Sequence, residues 1–441
     1  MKAKLVPIYF ETAEDPDFTR QVEALINLLK DEAEILKPVA LGERVPQADA
    51  VVFPQMLGDA YRVAEKIRAI SIPRLVITSE FGTVSMWDWE INDYLHSKGI
   101  EVIAPYNIEQ TRIICKALAL KRELAETHFI VYQDNPGEGF QASIFKRFYW
   151  WEDECTQRMK EKFGVQILKK SFKTLGETAR QIPDREAEAV WEAWQSRLPV
   201  GELSKRAFYS AIKQYLAVKQ DLVRDPSIKA AGINCLNESQ FSDTTPCLAW
   251  NMLFEESGLV WGCEADTVSM LTKVLIHHTL GVPVMMSNMY PFPMGMAATK
   301  HERIPHFPDV GEGSENYILI AHCGYLGVLP QSFSTEWTLR KKVLAIVDEN
   351  ATAIDARLPV GEVTLIKIDS SFNKIVVVEG EIKGYAQFPG SDCLNGALIK
   401  VPDGHRLMTQ LPSHHFIIST GRNLPNIENL AKIFGMGVEV I

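Results

Sequence analysis

Over the first 126 residues, short apolar runs alternate with amphipathic stretches. Residues 5–10, 50–53, 74–78 and 101–104 read as strands, while 18–29 and 61–70 show apolar positions at helical spacing. That alternation is the pattern of parallel βαβ units. A second section, residues 127–345, opens on a strand at 128–132 and the turn Asp134-Asn135-Pro136-Gly137. A helical pattern follows over 146–163, then strands at 165–168 and 230–234. Three further runs end on polar residues: 258–263 into Glu264-Ala265-Asp266, 283–286 into Ser287-Asn288, and 317–321 into His322. From 346 onward the runs at 363–368, 374–378, 397–401 and 416–419 lie close together between Gly, Pro and Asp turns, which predicts a small antiparallel sheet or barrel. A helix at 426–434 and a strand at 438–441 close the chain. The predicted fold is α/β, with two Rossmann-like domains on parallel sheets (1–126 and 127–345) and a β-rich, barrel-like domain (346–441).

Length fits this division, since 441 residues exceed what one ordinary core organises. A net charge of -10 and a pI near 5.6 speak against a nucleic-acid or anionic-membrane partner, because both reward clustered Lys and Arg. No run reaches the ~18 apolar residues of a membrane span. The N-terminus turns acidic by Glu11 and Glu14, too soon for a signal-peptide core, so the expected location is cytoplasmic. Seven cysteines without a Cys-x-x-Cys pair fit reduced, buried thiols. Cys263 and Cys323 stand beside candidate ligands but read as packing residues.

Parallel sheets gather ligands at the carboxyl ends of their strands, so the polar ends of the three runs are candidates to meet. Glu264 falls in a strand-to-helix turn flanked by apolar residues. Asp266 has two readings: N-cap of the helix that runs to Gly281, or a second acid. His322 ends a strand and precedes Cys323-Gly324, where glycine permits close approach of the backbone. Of the pair His414-His415 only one side chain should face a given pocket, because neighbours in a strand point to opposite faces. A Glu/His/His set holds a divalent ion and leaves positions open for substrate oxygens.

Pro246-Cys247-Leu248-Ala249, then Gly262-Cys263-Glu264-Ala265-Asp266, Gly281-Val282-Pro283, His322-Cys323-Gly324 and the closing His414-His415 resemble the L-fucose isomerase and L-arabinose isomerase superfamily. The likeness covers roughly residues 230–441 at the level of motifs, and the whole chain in domain order. It implies a metal-dependent aldose–ketose isomerase that works through a cis-enediol, usually with manganese, as a homo-trimer or homo-hexamer. By the resemblance Glu264 is the ligand carboxylate that also moves protons, His415 the C-terminal ligand, and His322 the additional ligand of the arabinose isomerase branch. One position departs: the second family carboxylate falls where this chain has Ser287-Asn288, and an amide is no general base near neutral pH. Either Asp266 or another acid is then the second proton carrier, or the isomerase chemistry has changed or been lost; Asn288 is a source of a carbonyl oxygen. Gln240, with Asn234, Asn237 and Glu238, and Glu80 after the strand at 74–78, are candidates for the sugar pocket. Two alternatives stay open: a non-catalytic sugar-binding protein, and another metal-assisted carbohydrate enzyme such as an epimerase or lyase.

Overall fold

The computed structural model of the chain describes residues 1–56, 58–82, 86–134, 153–291, 310–311, 313–388, 391 and 395–441. Residues 135–137 of the turn expected at 134–137, and the first part of the helix expected at 146–163, lie outside the described residues. The chain divides into two compact units, Met1–Ala125 with His278–Leu280 and Pro425–Gly437, and Glu126–His277 with Gly281–Leu424 and Val438–Ile441.

In the first unit, strands β1 (Ala3–Tyr9), β2 (Ala33–Ile35), β3 (Val39–Ala40), β4 (Ala50–Phe53) and β5 (Arg74–Val76) form one sheet in the order β2-β1-β4-β5, with β3 also on β1. Every pairing is parallel. All four residues of β4 are buried, as a strand covered on both faces requires. The helix Pro16–Leu28 connects β1 to β2, Gly58–Val63 with Ala64–Arg68 connects β4 to β5, and Met86–Ser97 and Ile108–Leu124 follow β5. Val6, Ile8, Val51, Phe53, Ile67, Val76 and Leu95 share the core. The expected strand at 101–104 reduces to a parallel bridge between Leu75 and Ile103, and the expected helix at 61–70 is a 3-10 segment leading into the short helix Ala64–Arg68.

The second unit holds two larger sheets. Strands β6 (His128–Tyr132), β7 (Gln166–Lys170), β8 (Ile228–Ile233) and β9 (Val260–Cys263) make a parallel sheet in the order β7-β6-β8-β9. The helix Cys247–Ser257 ends on Gly258 in the left-handed conformation, and Thr267–Leu280 ends likewise on Gly281. Both stops follow from glycine's freedom at positive φ.

The remaining strands are β10 (Val284–Pro291), β11 (Tyr317–Ala321), β12 (Glu336–Lys341), β13 (Thr352–Arg357), β14 (Gly361–Ile368), β15 (Lys374–Ala386), β16 (Gly396–Lys400), β17 (His415–Thr420) and β18 (Gly437–Val440). Six of them close a barrel in the order β14-β17-β10-β11-β16-β15, with β15 pairing back onto β14; β18 extends the sheet from β15, and β12 and β13 form a separate hairpin-like pair. All the barrel pairings are antiparallel. This corrects one expectation. The runs that end at Asn288 and His322 are barrel strands paired with the C-terminal strands, and no boundary between units falls at 345/346. The physical reason lies in pairing partners. Isolated apolar runs of this length record burial but not strand direction. Among the described residues, no helix is long and apolar enough to cross a membrane.

Gly396 marks a close approach in the barrel, where a Cβ would stand 1.9 Å from the Ile320 carbonyl oxygen and 3.0 Å from the Ala321 Cβ. Gly396→Ala should therefore push β16 off β11 and lower stability by about 1–3 kcal/mol or more, as overpacking does. Gly258→Ala meets nothing within 4 Å and adds only the strain of a left-handed alanine, roughly 1–2 kcal/mol. Urea midpoints should rank Gly396→Ala as the less stable of the two; the opposite order would contradict this register.

Candidate metal centre

Three separated segments of the second unit deliver the site. Glu264 lies in the turn between β9 and the Thr267–Leu280 helix, His322 follows β11, and His415 opens β17. Their ligand atoms all lie within 4.8 Å of one another. The three residues are 3%, 1% and 0% exposed, in that order.

The turn that presents Glu264 is conformationally costly. Glu264 and Ala265 both adopt the left-handed region, at φ 55 and 56, as does Cys323 beside His322 at φ 55. Such non-glycine residues cost on the order of 1–3 kcal/mol each and persist where the surroundings over-determine them. Two glycines permit the tight packing. A Cβ on Gly262 would meet the Asp266 carbonyl oxygen at 2.8 Å, and one on Gly232 would meet the Ala265 Cα at 2.9 Å.

His322 directs Nε2 toward Glu264 Oε1 at 3.5 Å. That nitrogen is buried and has no hydrogen-bond partner among the described residues. Its Nδ1 faces the Cys323 sulfur at 2.8 Å. Burial holds the Cys323 and Cys263 thiols well above their ordinary range, which suits packing residues rather than thiolate ligands.

His415 is oriented more firmly. Its Nδ1 lies 2.9 Å from Asp266 Oδ2, and its backbone N–H donates to Ser413 Oγ at 3.1 Å. Burial pushes the imidazole below its usual range against the opposing pull of Asp266. His414 is half-buried, with its ring centroid 4.3 Å from that of His415 and its carbonyl accepting from the Met289 N–H at 2.9 Å. The buried cluster thus takes His415 of the pair.

Asp266 proves to be the helix N-cap and the partner of His415. Its Oδ1 accepts from the Ser269 N–H at 2.8 Å, and its Oδ2 from Ser269 Oγ at 2.7 Å and Lys367 Nζ at 3.1 Å. Burial works to raise its pKa, but the Lys367 charge and the His415 bond outweigh it and hold the carboxyl well below the usual carboxylate range. With donors on both oxygens, Asp266 keeps its charge and is badly placed to shuttle protons. Of the two readings expected for Asp266, the structure shows the helix N-cap.

Ser287 is fully buried and donates to the Leu326 carbonyl at 2.8 Å, a structural bond. Asn288 stands opposite both His415 and Ala321 in the barrel register. Its Nδ2 donates to the Tyr290 hydroxyl at 3.1 Å, while its buried Oδ1 has no partner among the described residues. Asn234 and Glu238 bond each other at 3.2 Å, and Glu238 also accepts from the Asp134 N–H at 3.0 Å, which closes the loop after β8. Gln240 is exposed on the Ser239–Phe241 turn, and Glu80 is exposed after β5 in the first unit; neither belongs to the buried cluster. Sequence reasoning missed Ser269, Ser413 and Lys367. Lys367 left a signal, a lone charge between Ile366 and Ile368 in a run read as a strand.

No protein-family model and no curated protein matches the chain.

The residues themselves fit a metal. Glu/His/His is a donor set that first-row divalent ions accept with coordination positions to spare. The buried Nε2 of His322, without a hydrogen-bond partner among the described residues, is an atom such an ion would satisfy, and the carboxylate on His415 Nδ1 is the usual support of a metal-bound histidine. Calorimetric titration with Mn2+, Co2+ or Zn2+ should show one site per chain. His322→Ala and His415→Ala should each weaken it by more than the roughly 10- to 100-fold lost with a supporting partner, while Gln240→Ala leaves it unchanged. Binding that survives both histidine substitutions would place the ion elsewhere.

Proposed function

We propose that the protein is a metal-dependent aldose–ketose isomerase of a small open-chain sugar, related to the L-fucose and L-arabinose isomerases. The observation that carries this reading is the buried meeting of Glu264, His322 and His415 at the mouth of a strained turn. The proposed ion is Mn2+, the proposed assembly a cytoplasmic homo-trimer or homo-hexamer, and the two parallel sheets are taken as Rossmann-like.

When bound, the ion supplies Lewis-acid stabilisation for the negative charge that develops on adjacent sugar oxygens. Glu264 takes the proton from C2 of the aldose and returns it to C1, while the C2 hydroxyl proton moves to O1; the product is the ketose, with no net gain or loss of atoms. One carboxylate suffices, because in a cis-enediol both carbons present the same face to it. Asp266 holds His415 in place, and Asn288 Oδ1 accepts a hydrogen bond from a sugar hydroxyl. An epimerase draws less support: inversion at one carbon needs proton carriers on opposite faces, and Asp266 is occupied on both oxygens.

A second reading has one specific observation in its favour. Asn288 stands where the resemblance puts a carboxylate, so a sugar-binding protein without turnover would have the same site. Deuterium incorporation separates the two. In heavy water with Mn2+, aldoses and ketoses of five and six carbons should be screened by NMR for exchange at C1 and C2. An isomerase should exchange and interconvert at least one pair, and Glu264→Gln should cost about 10^2- to 10^4-fold, the scale of general acid–base catalysis, with the fold retained. Sugar binding without exchange at any carbon would leave the binding reading in its place.

A further inference from the structure

Three helices of the second unit, Phe172–Gln181, Asp184–Trp194 and Lys205–Arg224, enclose a cleft of about 630 Å3 together with the loop at 242–244. None of Glu264, His322 and His415 lines it. One face of the Lys205–Arg224 helix makes a wall, with Lys205, Tyr209 and Lys213 in one row and Arg206, Ser210 and Gln214 in the next, each at four-residue spacing. Gly176 brings the first helix down on the loop, since a Cβ there would meet the Phe241 carbonyl oxygen at 1.9 Å.

Gln214 is the buried end of its row. It is 1% exposed, and neither its Nε2 nor its Oε1 has a hydrogen-bond partner among the described residues. A buried amide left without both donor and acceptor partners is costly, and leucine would fill a similar volume without that cost. The two atoms therefore point to a polar group that arrives from the cleft.

The charges around the cleft say what kind of group that is. Arg180 pairs with Asp243 at 2.9 Å, Lys205 with Glu188 at 3.0 Å and Lys213 with Asp184 at 2.5 Å. With Arg206 the lining holds four cations against three carboxylates, close to neutral. An entering anion meets the carboxylate of each pair, and an entering cation meets the ammonium or guanidinium. A neutral ligand rich in hydroxyls finds donors and acceptors side by side, and adjacent hydroxyls match an amide, which offers one group of each kind. The volume lies in the range of small-molecule sites, roughly 300–1,000 Å3.

We propose that this cleft is a separate ligand site for a neutral sugar of one or two rings, whose adjacent hydroxyls bond Gln214 Nε2 and Oε1. Those atoms are closed to solvent, so the ligand reaches them as the long Lys and Arg side chains of the wall move aside. The site does not depend on the metal reading.

The test is saturation-transfer NMR and calorimetry on the full-length chain in EDTA. The probes are aldoses and ketoses of five and six carbons, sucrose, maltose and inorganic phosphate, each at millimolar concentration. At least one sugar should bind wild type and His322→Ala alike, which separates the cleft from the buried cluster. Gln214→Leu should bind that sugar about 10-fold or more weakly, the scale of one or two hydrogen bonds, with a melting temperature equal to or above that of wild type. If Gln214→Leu does not fold, Ser210→Phe, which fills the cleft from a half-buried position, carries the comparison with the same loss expected. If His322→Ala does not fold, Glu264→Gln takes its place. Sugar binding that is lost in His322→Ala, or kept at wild-type strength in Gln214→Leu or Ser210→Phe, overturns the proposal. Phosphate bound more tightly than every sugar, or no sugar bound at all, overturns it too.

Discussion

The Asp266 carboxylate is the buried charge on which the site depends. Its two oxygens take donors from the first turn of its own helix, from β14 and from β17. A buried carboxylate without such partners would protonate or force the structure open. Satisfying it ties the helix that follows β9 to two barrel strands. Glu264, two residues earlier, has no freedom to wander, because the left-handed pair Glu264-Ala265 is clamped between β9 and the capped helix.

Closure of the barrel supplies the second constraint. β10 is central to it, with β17 on one side and β11 on the other, so that Asn288 is cross-strand from His415 and from Ala321 at once. The register brings the ends of two antiparallel strands to the turn after a parallel one. Small residues make this possible at the closest approaches. Gly396 lets β16 lie against β11 directly before His322, and Gly232 and Gly262 let the Glu264 turn sit down on the parallel sheet.

These features also set Glu264 apart from Asp266 within the buried cluster. Asp266 has both oxygens engaged by Ser269, Lys367 and His415. Glu264 stands beside the two imidazoles with its carboxylate 3.5 Å from His322 Nε2.

Much of the fold was legible along the chain. The runs at 50–53 and 128–132 appear as β4 and β6, the N-cap at Asp266 and the stop at Gly281 bracket their helix, and the β-rich closing section forms most of the barrel. Periodicity, caps and glycine stops act over a few residues, so a local pattern records them. Glu264, His322 and His415 stood out because a polar residue at the end of an apolar run is itself a local feature. Strand partners were not legible, because an apolar run reads alike in a parallel sheet and a barrel, and β10 and β11 chose the barrel through hydrogen bonds to strands near the C-terminus. The role of Asp266 was not legible either. Whether it carries protons or holds a histidine depends on Lys367 and His415, which lie 101 and 149 residues away in the chain and meet it only once the barrel has closed.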